Sequence, residues 1–195
     1  MADRDRSQRQ IWDQRHSEAA DSGQVAAVLE QNRHLLPTTG KALDLACGRG
    51  ANALFLARAG LQVTAWDLSP VAIDRVQHLC REMGVEITAE VRDVVLHPPT
   101  PSSFDLILVS YFLERSLAPA LIRALSAGGL LFYQTFSRLA VSQCGPSNPA
   151  YRLGDNELLR LFQPLRVRCY REDGKLGDVT RGDRDIAMLV AEKVS

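Results

Sequence analysis

The run Asp44-Leu45-Ala46-Cys47-Gly48-Arg49-Gly50, followed by Ala51-Asn52-Ala53, carries the plainest chemistry in this chain. Apolar residues precede it and a helix-like stretch follows, so the two glycines fall in a strand-to-helix turn. Glycine lets backbone approach a ligand where a Cβ would intervene. The helix start adds N–H groups without intrahelical partners and a partial positive charge. Asp44, at the strand end, suits a ligand carrying an ammonium group. Asp67 ends the next strand-like run, LQVTAW, where a carboxylate can accept hydrogen bonds from both hydroxyls of a ribose. A loop and an acid so placed specify a nucleoside-bearing ligand.

Gly48-Arg49-Gly50-Ala51-Asn52-Ala53 also fits G-x-G-x-x-A, so a nicotinamide or flavin cofactor must be weighed. An acid inside the motif counts against that reading, because a dinucleotide loop holds a pyrophosphate that Asp44 would repel. Arg92-Asp93-Val94 follows a third strand-like run, where an acid can accept from an adenine amino group. Both points favour S-adenosylmethionine. Cys47 invites a nucleophile reading, but the sequence places no histidine to activate it.

The elements that must position these residues alternate along the chain. Strands are expected at 41–46, 61–66, 85–91, 104–110, 130–136, 165–172 and 185–193. FDLILVS (104–110) is nearly all apolar, as befits a strand buried on both faces. Helices are expected at 24–36, 51–60, 70–83 and around 117–126, and in NELLRLF, with Asp155 able to cap the last. Ser69-Pro70 is a strong helix start, and Gly84 a stop. Gly128-Gly129 reads as a turn, and 142–154 as a Gly/Pro/Asn/Ser-rich loop. The alternation gives an α/β fold with a mostly parallel sheet, helices on both faces and a closing hairpin. One domain over 1–195 is expected, with 1–8 lacking order and 9–36 forming an N-terminal helical segment.

ALDLACGRGANALFLA, VTAWDLSP, EVRDV, FDLILVS and AGGLLFYQTF resemble, in order and spacing, the motifs of Rossmann-like class I S-adenosylmethionine-dependent methyltransferases. The resemblance implies a seven-stranded sheet ending in an antiparallel hairpin. It implies that the Asp44–Gly50 loop takes the methionine part of the cofactor, Asp67 the ribose and Asp93 the adenine. Ala46, Cys47, Gly48, Gly50, Asn52, Leu68, Ser69, Val94 and Ser110 fall within the same motifs. Ala46 stands where the family usually has its first glycine. IWDQRHSE, together with YRLGDNELLRLF and LRVRCYRED, is similar to the bacterial tellurite-resistance group. There Trp12 and Arg15 would lie over the cofactor in an N-terminal lid. His16 replaces that pattern's usual tyrosine.

Lys plus Arg and Asp plus Glu are 23 each, so a balanced chain offers no electrostatic case for a nucleic acid or an anionic membrane. No apolar run approaches a membrane span, and the charged start is unlike a signal peptide. The four cysteines are widely spaced and form no metal-ligand pattern with the four histidines. A cytoplasmic enzyme with reduced thiols and no metal is expected, as a monomer or homodimer acting on a small molecule. A thiol, selenite or tellurite is a candidate acceptor, with Tyr111, Arg115, Tyr151 and Arg152 as substrate residues. Arg115 or Arg152 would bind an anion. The alternatives are an NAD-dependent oxidoreductase and a non-catalytic S-adenosylmethionine-binding protein.

Overall fold

Period-two alternation decides which side of a sheet each side chain meets. In the computed structural model, which describes residues 2–18 and 23–194 and side chains from residue 9 onward, helices cover both sides. The strands are β1 (Lys41–Leu45), β2 (Gln62–Asp67), β3 (Ile87–Val91), β4 (Phe104–Ser110), β5 (Leu125–Phe136), β6 (Arg166–Arg171) and β7 (Ile186–Glu192). They form one seven-stranded sheet in the order β3-β2-β1-β4-β5-β7-β6. β1 to β5 pair in parallel, and β7 lies antiparallel to both β5 and β6. The expected parallel sheet with a closing hairpin is therefore present.

The helices are α1 (Ala2–Glu18), α2 (Ala27–Gln31), α3 (Ala51–Arg58), α4 (Pro70–Met83), α5 (Ala118–Ala124) and α6 (Glu157–Leu161). On one face Ala42, Ala65, Leu106, Leu108 and Phe132 meet Val28 and Leu29 of α2, Ala53 and Leu56 of α3, and Ile73 and Val76 of α4. On the other, Leu43, Leu45, Ile107, Val109 and Leu131 meet Leu121 of α5 and Leu158 of α6. Burying these side chains is the main stabilising term. It also fixes strand register, since a one-residue slip would exchange the faces.

The order in which strands are added reverses between β1 and β4, which pair in parallel from Ala42↔Leu106 to Leu45↔Val109. In open α/β sheets that switch point opens a crevice at the carboxyl ends of the strands. The ends of β1, β2 and β4 bring Asp44, Asp67 and Ser110 there.

Ser69 caps α4, its Oγ accepting from Ala72 N–H, and Gly84 ends that helix at φ +63°, both as expected. Four boundaries differ from expectation. The 24–36 helix is reduced to α2 and a 3-10 turn at Arg33–Leu35, because buried Asn32 turns its amide back onto Val28 O and offers the backbone a local exit. Gly128-Gly129 lies inside β5, where a bulge between the Phe104↔Leu125 and Leu106↔Leu130 pairs absorbs it. Asn156, at φ +55°, stands at the start of α6 in place of Asp155, and Glu157 accepts from Gly154 N–H. Residues 2–8, expected to lack order, belong to α1; Met1 lies outside the described residues.

Candidate functional site

The Asp44 side chain is completely buried, and the Ala53 N–H faces it without completing a hydrogen bond to either carboxyl oxygen. Such a group is costly unless a ligand completes it. Burial, reinforced by the neighbouring Asp67, pushes its pKa up to about 7, against a lowering from the Ala53 N–H at the start of α3. The site thus holds a carboxyl poised to ionise against a cation.

Ala46, Gly48 and Gly50 carry the chain around this carboxyl at φ +56°, +52° and +88°. The alanine that departs from the family pattern therefore sits in left-handed backbone, where glycine is free of strain. A Cβ on Gly50 would lie 2.8 Å from Val76 Cγ2, so that glycine also lets the loop seat on α4. Cys47 N–H donates to Trp66 O at 2.9 Å, closing the loop against β2. Burial raises the Cys47 thiol, with Asp44 and Asp67 adding to the rise, which removes the thiolate a nucleophile would need.

Asp67 Oδ2 accepts from Gly48 N–H and Oδ1 from Ser69 N–H, both at 2.9 Å. Each oxygen keeps acceptor capacity for a ligand hydroxyl. Burial raises its pKa, while those N–H groups and His16 oppose the rise. Arg92 N–H reaches Asp67 O at 2.7 Å, tying the loop after β3 to the same strand end. In that loop Asp93 Oδ1 accepts from Val95 and Leu96 N–H, and Val94 is buried. Leu68 is half-buried beside Asp67.

Helix α1 crosses this crevice. His16 Cε1 lies 3.4 Å from where a Cβ on Gly48 would stand. Burial lowers the pKa of the imidazole, against the opposing pull of Asp67. Trp12 stacks on His16 with centroids 6.0 Å apart, and the Arg15 guanidinium lies 4.9 Å from the Trp12 ring centre. The residue that departs from the family pattern is therefore the one that reaches the loop, while Arg15 stays on the exposed flank of α1.

Several expected ligand residues also do structural work. Asn52 Oδ1 accepts from Ala26 N–H at 2.8 Å and its amide donates to Ser110 Oγ at 3.0 Å, so both side chains join α3 to neighbouring chain. Ser69 Oγ caps α4 and donates to Asp13 Oδ1 at 2.5 Å. Neither arginine offered for an anionic acceptor is available. Arg115 pairs with Glu157 at 2.5 Å and donates to Ala150 O and Arg152 O. Arg152 donates to the carbonyls of Pro146, Ser137 and Cys144. Together they brace the 142–154 loop. Tyr111 and Tyr151 remain half-exposed beside it. The sequence reading missed Gln134, a wholly buried amide in a mostly apolar strand. An amide in the mostly apolar run LLFYQTF is its one visible signal.

The sheet order is that of the class I, Rossmann-like methyltransferase fold. Residues 42–129 match the family described as a methyltransferase domain. Half of the chain, 104 residues, is 38% identical to a ubiquinone biosynthesis O-methyltransferase of Xanthomonas euvesicatoria pv. vesicatoria and covers 44% of it. The chain thus spans less than half the length of the curated relatives it first matches. Among solved structures, TehB from Haemophilus influenzae superposes with a TM-score of 0.68 at 21% identity, over 85% of this chain and 61% of that one. A methyltransferase from Methanosarcina mazei superposes with a TM-score of 0.67 at 19% identity, over 88% of this chain and 99% of that one. Residues 42–129 thus match a methyltransferase domain and the sheet has the class I methyltransferase fold, which together support S-adenosylmethionine as the cofactor. The nicotinamide reading of G-x-G-x-x-A is set aside.

The residues present fit that cofactor. The unpartnered Asp44 carboxyl suits its ammonium, the glycine cradle its methionine backbone, and Asp67 its ribose hydroxyls.

Proposed function

We propose that this chain methylates a small acceptor bound over the ends of β4 and β5, with Asp44, Gly48, Gly50 and Asp67 holding the donor and Asp93 at its adenine. The observation that carries this is the buried, unpartnered Asp44 beside the left-handed loop. When bound, S-adenosylmethionine supplies a methyl group already activated on a sulfonium. The protein's own task is then in-line placement of the acceptor and exclusion of water, a proximity effect. Trp12 and His16 on α1 would close the donor side.

An uncharged hydroxyl acceptor is favoured over selenite or tellurite. Arg115 and Arg152 are committed to Glu157 and backbone carbonyls, while exposed Tyr111, Leu139, Val141 and Tyr151 offer apolar surface. The O-methyltransferase named among the relatives supports the same class. Among the described residues no helix is long and apolar enough to cross a membrane. A cytoplasmic monomer or homodimer meeting a small acceptor, with no nucleic-acid partner, fits the balanced charge.

Calorimetric titration with S-adenosylmethionine and with NADH, in wild type and Asp67→Ala, tests the donor site. Saturable binding of the methyl donor alone, lost in the variant, is the expected result; binding of NADH in its place overturns it. Mass analysis of products from phenols, thiols, selenite and tellurite then tests the acceptor class. Tight donor binding with no turnover of any of them would mark a non-catalytic binding protein.

A further inference from the structure

Helix α1 is seated on the domain by polar contacts. Between Arg9 and Glu18 only Asp13 and His16 are half-buried, and every other residue is exposed, Ile11 and Trp12 included. A helix docks firmly by burying an apolar stripe, and this segment contributes no side chain to either core.

What seats it lies within one helical turn. Asp13 Oδ1 accepts from Ser69 Oγ at 2.5 Å, and Ser17 O accepts from Arg75 Nη2 at 3.3 Å. Between them His16 enters the crevice, where Asp13, Arg49, Asp67 and Arg75 are its charged neighbours. Gly48 shows what the imidazole does there. Among the described residues beyond its chain neighbours, a Cβ on Gly48 would come within 4 Å of His16 alone, with Cε1 3.4 Å away. That is ordinary packing contact, so the imidazole fills the space that the glycine leaves open. Gly48 N–H ends on Asp67 Oδ2, so the filled space adjoins the carboxylate assigned to the ribose.

Resting on the donor site proposed above, we infer that α1 is a gate: His16 occupies ground over Gly48 that S-adenosylmethionine must take, so α1 lifts before the donor enters and reseats over it afterwards. The gate is held by a hydrogen bond to a carboxylate, another to a backbone carbonyl, and a ring against a glycine. These contacts break without disturbing the sheet, which places lifting among the low-cost local openings of the fold. Entry then has two steps. Its rate follows donor concentration only until lifting becomes limiting, and the lifted fraction scales the affinity. A lid that merely covers bound donor slows release and leaves entry alone, whereas a filled seat slows entry as well.

Stopped-flow mixing of the full chain with S-adenosylmethionine separates the two. Trp12, stacked on His16, supplies the signal; Trp66, the other tryptophan, is buried, and Trp12→Phe measures its share. The wild-type rate is expected to level off as donor concentration rises. Asp13→Ala removes a charge-assisted hydrogen bond and His16→Ala clears the seat, and each is expected to raise that plateau about tenfold. Neither residue lies in the core, so both variants keep the wild-type fold, checked by denaturant midpoint. Rates that climb without a plateau and coincide in all three proteins overturn the gate while leaving the donor site standing. Slower entry in His16→Ala also overturns it, since His16 would then be a contact of the donor. Absence of donor binding in wild type removes the donor reading itself.

Discussion

Ser69 Oγ lies 2.5 Å from Asp13 Oδ1, so the residue that caps α4 also latches α1 across the crevice. The two duties separate by substitution. Ser69→Ala loses the cap and is expected to cost about 1 kcal/mol in denaturant unfolding. Asp13→Ala leaves the cap in place, so its unfolding midpoint stays near wild type. Both variants release S-adenosylmethionine faster in stopped-flow displacement if α1 closes over the donor. An unchanged release rate in Asp13→Ala would show that the latch does not govern the site.

Asp44 makes stability and binding depend on pH in opposite directions. Its carboxyl is raised from 3.8 to about 7, so the folded protein without ligand holds a proton there that the unfolded chain gives up. Stability from this group is fully present below about pH 4 and is lost as pH rises toward 7, by up to about 4 kcal/mol. Asp44→Asn should remove that slope, read from denaturant midpoints between pH 4 and 8. A ligand ammonium needs the ionised form, so donor affinity should tighten as pH rises through 7. In Asp44→Asn affinity is expected to fall about 30- to 100-fold at pH 8 and to lose this pH dependence.

Ala46 occupies left-handed backbone at φ +56°, at a cost of roughly 1–2 kcal/mol relative to glycine. The greater freedom of glycine in the unfolded chain returns part of this. Ala46→Gly is therefore expected to stabilise the protein by about 0.5–1 kcal/mol by chemical denaturation. A destabilised variant would mean that the Ala46 methyl contributes more through its core contacts than its backbone costs.

Much of this arrangement is legible in the sequence because each signal is local. Ser69-Pro70 and Gly84 delimit α4 by capping chemistry alone, and β4 reads as a central strand because both its faces are apolar. Asp44 and Asp67 are placed by their position at strand ends. What is not legible has another cause: partners distant in the chain. Asn52 and Ser110 meet across 58 positions, a contact that no local pattern shows. Arg115 looks like an anion site until Glu157, 42 residues away, takes it. His16, which replaces the usual tyrosine of the N-terminal pattern, meets Gly48 only once α1 folds over the loop. Gln134 shows as a polar residue in an apolar run, but its orientation depends on Val28, 106 residues earlier.

Arg115 and Glu157 offer the sharpest test of the loop. Their 2.5 Å contact is only partly exposed, and Arg115 also holds the carbonyls of Ala150 and Arg152. The Arg115 guanidinium holds the Glu157 carboxyl below its ordinary 4.5, against the opposing effect of burial. A depressed carboxyl contributes stability above the unfolded value and loses it as pH falls through the folded one, so this contact should weaken as pH falls below the ordinary carboxylate range. Arg115→Ala is expected to cost about 1–2 kcal/mol and to open the 142–154 loop to limited proteolysis. Glu157→Gln should reproduce part of that sensitivity at neutral pH, where wild type resists. If Arg115 instead served as an anion site, Arg115→Ala would abolish turnover of selenite or tellurite while leaving the loop protected. Protease sensitivity and acceptor preference measured on the same variant separate the two roles.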